Sequence, residues 1–178
     1  MATEVQIKVS PDQDTPPVRN MKYLKTIVLN LFLIIAPSVA VALLTVRLDK
    51  LLGLQSYNST FAFALGVLFL TVGLIFRFWA SFAFYDNYLA VLWMKPQQSL
   101  VTSGPYKFSR NPLYIGIIGI FLGAVLMAGS ISGIVLTVLL FLAWDVWVRF
   151  GEEKDMEKTF GDTYREYKNR VPRWITLW

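Results

Sequence analysis

The sequence predicts an all-α integral membrane protein: about four transmembrane helices, with a tight C-terminal helical hairpin and a cytoplasmic helical tail. Three observations carry that prediction. Of the 178 residues, 55% are hydrophobic, and the mean hydropathy of +0.49 is too high for an ordinary soluble domain. The apolar residues gather into runs long enough to cross a hydrocarbon layer of roughly 30 Å. The Lys and Arg residues collect on one side of those runs, the bias expected of a multi-pass protein.

Residues 1–20, MATEVQIKVSPDQDTPPVRN, are polar and proline-rich and read as a disordered tail, although VQIKV has the look of a short strand. The first apolar run, about Tyr23 to Val46, is a span. Its PSVAVA resembles a signal cleavage site, but the run starts too late and is too long for a signal peptide. Pro37 is expected to kink it. Residues 47–60, RLDKLLGLQSYNST, read as a loop. The second run, from near Phe61 to about Phe84, contains Arg77. That arginine reads either as a snorkelling side chain at the membrane edge or as a group facing a site. Residues 85–111 are mixed and aromatic and suit the membrane interface.

The third run, Leu113 to Met127, and the fourth, Ile131 to Phe150, are separated only by Ala-Gly-Ser, which predicts a hairpin. Gly116, Gly119 and Gly123 fall on one helical face and are expected to pack that hairpin. A charged helix follows, broken at Gly161 and ended at Pro172, with the composition of an interfacial amphipathic helix. The chain thus divides into a tail (1–20), a first transmembrane helix with its loop (21–60), and a membrane-embedded core with its cytoplasmic C-terminal helix (61–178). Four spans place both termini on one side. Fourteen Lys and Arg lie in the two terminal segments and the middle loop, against only Arg47 and Lys50 on the opposite side, so that side is expected to be cytoplasmic.

Composition narrows the chemistry. With no cysteine there is no disulfide and no thiolate metal site. With no histidine the usual near-neutral base and the commonest metal ligand are missing. A Ser-His-Asp mechanism is excluded, and no metal is expected. The net charge of +5 suits anionic lipid headgroups better than nucleic acid in so apolar a chain.

One polar stretch stands out, SGPYKFSRNPLYIG at residues 103–116. Asn111 before Pro112 is a helix start, with asparagine as cap and proline in the first turn. The free N–H groups and positive dipole end of the third span then face the 98–111 loop. Arg110 stands beside them. The hairpin brings Glu152 and Glu153 back towards Asn111, so a cationic and an anionic corner are expected to face each other over one pocket. Such a pocket fits a zwitterionic ligand.

The stretch SLVTSGPYKFSRNPLYIG, followed by EEKDMEKTFGDTYREYKNRVP, resembles the integral-membrane methyltransferases, a group that includes the isoprenylcysteine carboxyl methyltransferases and the phospholipid N-methyltransferases. The likeness covers roughly residues 66–173 and includes LIFRFWA around Arg77. It implies S-adenosylmethionine as methyl donor and a lipophilic or lipidated acceptor in the bilayer. It places cofactor contacts on Gln98, Ser99, Leu100, Val101, Tyr106, Asn111, Pro112, Leu113, Tyr114 and Glu152, and a substrate-side arginine near Arg149; the chemistry of the pocket adds Arg110, to pin a substrate anion, and Glu153, near the acceptor's reactive head. Asn111 replaces a more familiar histidine, and Gln98 stands where a histidine often precedes Leu-Val. Asparagine orients by hydrogen bonds but carries no titrating proton. Val148 occupies the place where the substrate-side arginine aligns, with Arg149 one residue on. Methyl transfer from a sulfonium needs alignment and water exclusion, chemistry that a site without histidine or metal can perform. Where the acceptor is an amine, Glu153 and Tyr114 are the candidate bases. Two alternatives use the same residues differently: a non-catalytic four-span protein, in which RNPLYIG is a packing turn, and a sterol-type lipid reductase.

Overall fold

The computed structural model describes residues 21–57, 59–83 and 99–175. Their helices are α1 (Met21–Leu51), α2 (Thr60–Ala83), α3 (Pro112–Met127), α4 (Ile131–Trp147) and α5 (Glu153–Arg170). A 3-10 turn, Gly104–Lys107, leads into α3, and a π-helical turn, Val148–Glu152, joins α4 to α5. Among the described residues there are three helices long and apolar enough to cross a membrane: the Phe32–Leu51 part of α1, α2, and the helix beginning at Ile131. The fold is the all-helical membrane architecture that the apolar runs predict. The tail with VQIKV, together with Gln98, lies outside the described residues.

At 16 residues, α3 is the short member. A rise of 1.5 Å per residue gives it about 24 Å, less than the hydrocarbon layer. It is nevertheless the centre of the bundle, because its contact with α2 dispenses with side chains. A Cβ added at Gly73 would lie 2.7 Å from the Ile120 amide nitrogen, and one at Gly116 would lie 2.8 Å from the Arg77 nitrogen and Cβ. The two backbones therefore touch directly. This corrects the expected use of Gly116, Gly119 and Gly123: they receive α2 rather than the hairpin partner α4.

The first helix also differs from expectation. It runs on through Arg47 and Lys50 to Leu51, so the loop shrinks to residues 52–59. Asp49 supplies the reason. Its fully buried carboxylate accepts hydrogen bonds from the Ser130 hydroxyl at 2.7 Å and from the amides of Ile131 and Ser132 at 3.0 and 2.9 Å. The end of α1 thus caps the start of α4, where the first amides have no partner within their own helix. Tyr57 adds a backbone bond to Gly129 at 3.3 Å. All these contacts lie at the end of the bundle opposite the polar loop.

At the other end the α-geometry of α4 stops at Trp147, short of the expected Phe150. A π turn holds more residues per turn than an α turn, so α5 leaves α4 out of phase. That phase change decides where Glu152 and Glu153 point. Gly161 interrupts α5 with φ +54°, and the helix ends at Arg170.

Candidate active site

The polar loop folds over the start of α3 because two prolines and one glycine set its path. Gly104 takes φ +58° against Ala83 and Trp79 of α2, and Pro105 opens the 3-10 turn. Val101 and Tyr106 are buried with Ala80, and Leu113 and Ala83 pack around them. The backbone carbonyl of Tyr106 accepts the Tyr167 hydroxyl at 2.8 Å, which ties α5 to the loop. Burial, then the neighbouring Tyr167, pushes the Tyr106 phenol above its ordinary pKa, while Arg77 opposes the shift. Arg77 itself is 7% exposed and its backbone sits against Gly116. It faces the protein interior rather than snorkelling to the membrane edge.

Asn111 takes the N-cap position of α3, but its side chain makes no cap bond. Its Nδ2 donates instead to the Arg173 carbonyl at 3.3 Å. The Ser109 hydroxyl donates to the same carbonyl at 2.9 Å and accepts the Asn111 amide at 3.0 Å. The Arg110 amide donates to the Pro172 carbonyl at 2.9 Å. The segment after α5 therefore crosses the loop and holds it down. The Leu113 and Tyr114 amides in the first turn of α3 thus receive no cap from the Asn111 side chain.

Glu152, at the end of the π turn, accepts a hydrogen bond from the Tyr114 hydroxyl. Tyr114 stands in the first turn of α3, so the beginning of α3 and the end of the α4 stem meet there. The Tyr114 ring packs on Trp144 at 5.6 Å. Glu153, one residue on, is turned away. It pairs with Arg110 at 2.9 Å, with the Nε and Nη2 of Arg173 at 2.7 and 2.9 Å, and with Lys168 at 3.8 Å. At 4% exposure it is the centre of a closed ionic knot. The expected cationic and anionic corners thus do not face each other across an open pocket: Arg110 and Glu153 neutralise one another. Arg149 is half-exposed and pairs with Asp145 at 2.9 Å, while Val148 beside it is buried.

An apolar cavity of about 270 Å³ runs along the membrane-crossing part of the same helices. Phe69, Val72 and Phe76 of α2, Ile115, Ile118 and Leu122 of α3, and Phe141 of α4 line it, together with Trp174 and Ile175. Ile115 follows Tyr114 directly, and Ile118 lies one helical turn further along the same face. The cavity therefore begins on α3 at the residue after Tyr114 and runs along the helix to Leu122.

Sequence reasoning missed Arg173, Trp174 and Asp145. Arg173 is held by Glu153 and by Asp145 at 3.5 Å, and its hydrogen bond to Glu153 is the largest of the effects raising its pKa. The Trp174 indole donates to Asp145 at 2.8 Å, and its ring packs on Phe141 at 5.1 Å. A tryptophan directly after Arg-Val-Pro-Arg was the available signal, at the point where the chain returns to the interface.

An apolar helical bundle with a polar loop and a carboxylate at one end defines an integral membrane protein. The family is more specific. Residues 61–163 match the phospholipid methyltransferase family, and the chain belongs to it. It is 34% identical over 109 residues to the phosphatidylethanolamine N-methyltransferase of Rattus norvegicus, covering 58% of this chain and 51% of that protein. It is 31% identical over 121 residues to the protein-S-isoprenylcysteine O-methyltransferase of Mus musculus, covering 64% and 41% respectively. A shorter stretch of 68 residues is 38% identical to methanethiol S-methyltransferase 1 of Bradyrhizobium diazoefficiens, covering 37% and 22%. The chain spans about half the length, or less, of these relatives. No solved structure matches it.

Proposed function

We propose that this protein transfers a methyl group from S-adenosylmethionine to a lipophilic acceptor at the cytoplasmic membrane surface. The observation that carries this reading is the Tyr114–Glu152 contact, which closes the uncapped start of α3 against a carboxylate. Amide donors beside an acid form the complement of an α-amino acid, the polar end of that cofactor. The residues present therefore fit it. The α3 amides and dipole would receive its carboxylate, and Glu152 its ammonium group. Asn111, Pro112 and Leu113 would set the floor, and Ser99, Leu100, Val101 and Tyr106 the wall, with Gln98 adjoining.

When bound, the cofactor supplies a methyl group already activated on sulfur. What remains for the protein is to align the acceptor and exclude water, an effect worth up to roughly 7–11 kcal/mol in ideal cases. Arg110 and Glu153 act here as positioning residues that clamp the loop. Arg149 stands at the rim, where it can meet an anionic headgroup. A carboxylate acceptor needs no base. An amine acceptor must lose a proton; with Glu153 engaged by Arg110 and Arg173 and Glu152 by the cofactor's ammonium group, the Tyr114 hydroxyl is the remaining candidate to receive it. The acceptor's hydrocarbon chain lies in the lateral groove. Four passes place both termini on the cytoplasmic side with the site, in keeping with the distribution of basic residues.

The test uses protein in lipid nanodiscs, with calorimetry for cofactor binding and labelled methyl transfer to phosphatidylethanolamine and S-farnesylcysteine. Wild type is expected to bind the cofactor and label one acceptor class. Glu152→Gln removes a charged hydrogen bond worth about 1.5–3 kcal/mol, so affinity falls roughly 10–150-fold. An absence of cofactor binding, or wild-type affinity in Glu152→Gln, overturns the reading.

A further inference from the structure

Trp174 belongs to none of the elements that span the membrane, yet it forms a wall of the lateral groove. Three ties fix it there. Its indole N–H donates to Asp145 at 2.8 Å, and its ring rests on Phe141 with centroids 5.1 Å apart. The preceding residue, Arg173, is clamped by Glu153 at 2.7 Å and presents its carbonyl to Ser109 and Asn111. A side chain held in this way does not swing aside when a ligand arrives. It shares the lining of the groove with Ile115 and Ile118 of α3, so a chain lying there meets its ring.

The cavity is also small. At about 270 Å³ it falls just below the range of roughly 300–1,000 Å³ typical of small-molecule pockets. That volume suits one slender hydrocarbon chain, and the lining offers a chain nothing but carbon along α2 and α3. We infer that Trp174 is a specificity-determining residue: it limits the groove to a single unbranched or narrow chain of the acceptor lipid. The inference rests on the proposed methyl-transfer reading for its substrate class, but the wall itself is a matter of packing.

The experiment therefore has two readouts in nanodiscs. One is the ratio of kcat/KM for phosphatidylethanolamine carrying phytanoyl chains, which bear methyl branches, to that for the palmitoyl lipid. The other needs no catalysis: a palmitoyl lipid bearing a diazirine is photo-crosslinked, and either lipid is added as competitor. The label is expected on peptides containing Ile115, Ile118 or Trp174. In Trp174→Ala the branched-to-straight ratio is expected to rise at least about tenfold in both readouts, the scale on which apolar pockets discriminate methyl groups. Trp174→Phe keeps a ring at the wall and loses the bond to Asp145, so it is expected to retain wild-type selectivity. If Trp174→Ala does not fold, Trp174→Leu takes its place as the smaller wall. A ratio unchanged by the smaller residue, or a label absent from the groove, overturns the inference. A shifted competition ratio without methyl transfer to any lipid overturns the proposed reaction and leaves the role of Trp174 standing.

Discussion

Glu153→Gln tests the ionic knot. The carboxylate is 4% exposed, and its closest partners lie at 2.7–2.9 Å. At an effective dielectric constant of about 20, a unit-charge pair at that distance attracts by roughly 6 kcal/mol before desolvation is counted. The loss is not shared evenly. Arg173 keeps Asp145 at 3.5 Å, and Lys168 keeps Glu157 at 2.7 Å. Arg110, with its side chain 8% exposed, is left without an ion-pair partner among the described residues. Removing one member of a buried pair typically costs about 3–5 kcal/mol, because the other charge stays buried. That is the destabilisation expected, read as thermal denaturation in detergent micelles. Adding Arg110→Met removes the stranded charge and should restore most of the loss. Cofactor affinity, measured at a temperature where both variants are folded, should change far less than in Glu152→Gln. Wild-type stability in Glu153→Gln, or a double variant no better than the single one, refutes the reasoning.

Asp49→Asn keeps the shape of the remote cap on α4 and removes its charge. Charged caps and dipole contacts are worth about 1–2 kcal/mol when partly buried, so a loss of that size in micelle denaturation is expected, with cofactor binding unaffected at the far end of the bundle. Alkaline pH acts through the tyrosines of α5 and the loop. Burial raises the pKa of Tyr167, Tyr164 and Tyr106, so the folded state holds these protons more tightly than the unfolded state does. Stability is therefore complete below the unfolded value of about 10 and declines as pH rises through the folded values. Tyr167→Phe, which loses the bond to the Tyr106 carbonyl, should flatten that decline while costing about 1 kcal/mol at neutral pH, as followed by denaturation midpoints across a pH series.

Hydropathy and Asn-Pro were enough to find the helices and the end at which α3 opens, because both signals are local. Other features were not legible for want of a local cause. Nothing in Glu152-Glu153 says which acid meets Tyr114 and which meets Arg110; a single π turn decides it by shifting the phase of α5. Gly116 and Gly123 mark a close approach, but only tertiary structure shows that α2 is the partner. Residues 47–51 read as loop because they are charged, whereas Asp49 finds its bonds at Ser130 and Ile131. Trp174 gave no local signal of its role, since its partners Asp145 and Phe141 lie some thirty positions earlier in the chain.

The strap formed by residues 171–175 bears on how the molecule is made. Ser109, Arg110 and Asn111 emerge from the ribosome long before the carbonyls of Pro172 and Arg173 that they hold. A nascent chain can have its apolar segments inserted and still lack a settled loop. Assembly of this corner thus waits on translation of Arg173, and a stop codon a few positions earlier would yield a protein that inserts into the membrane but has no fastened loop.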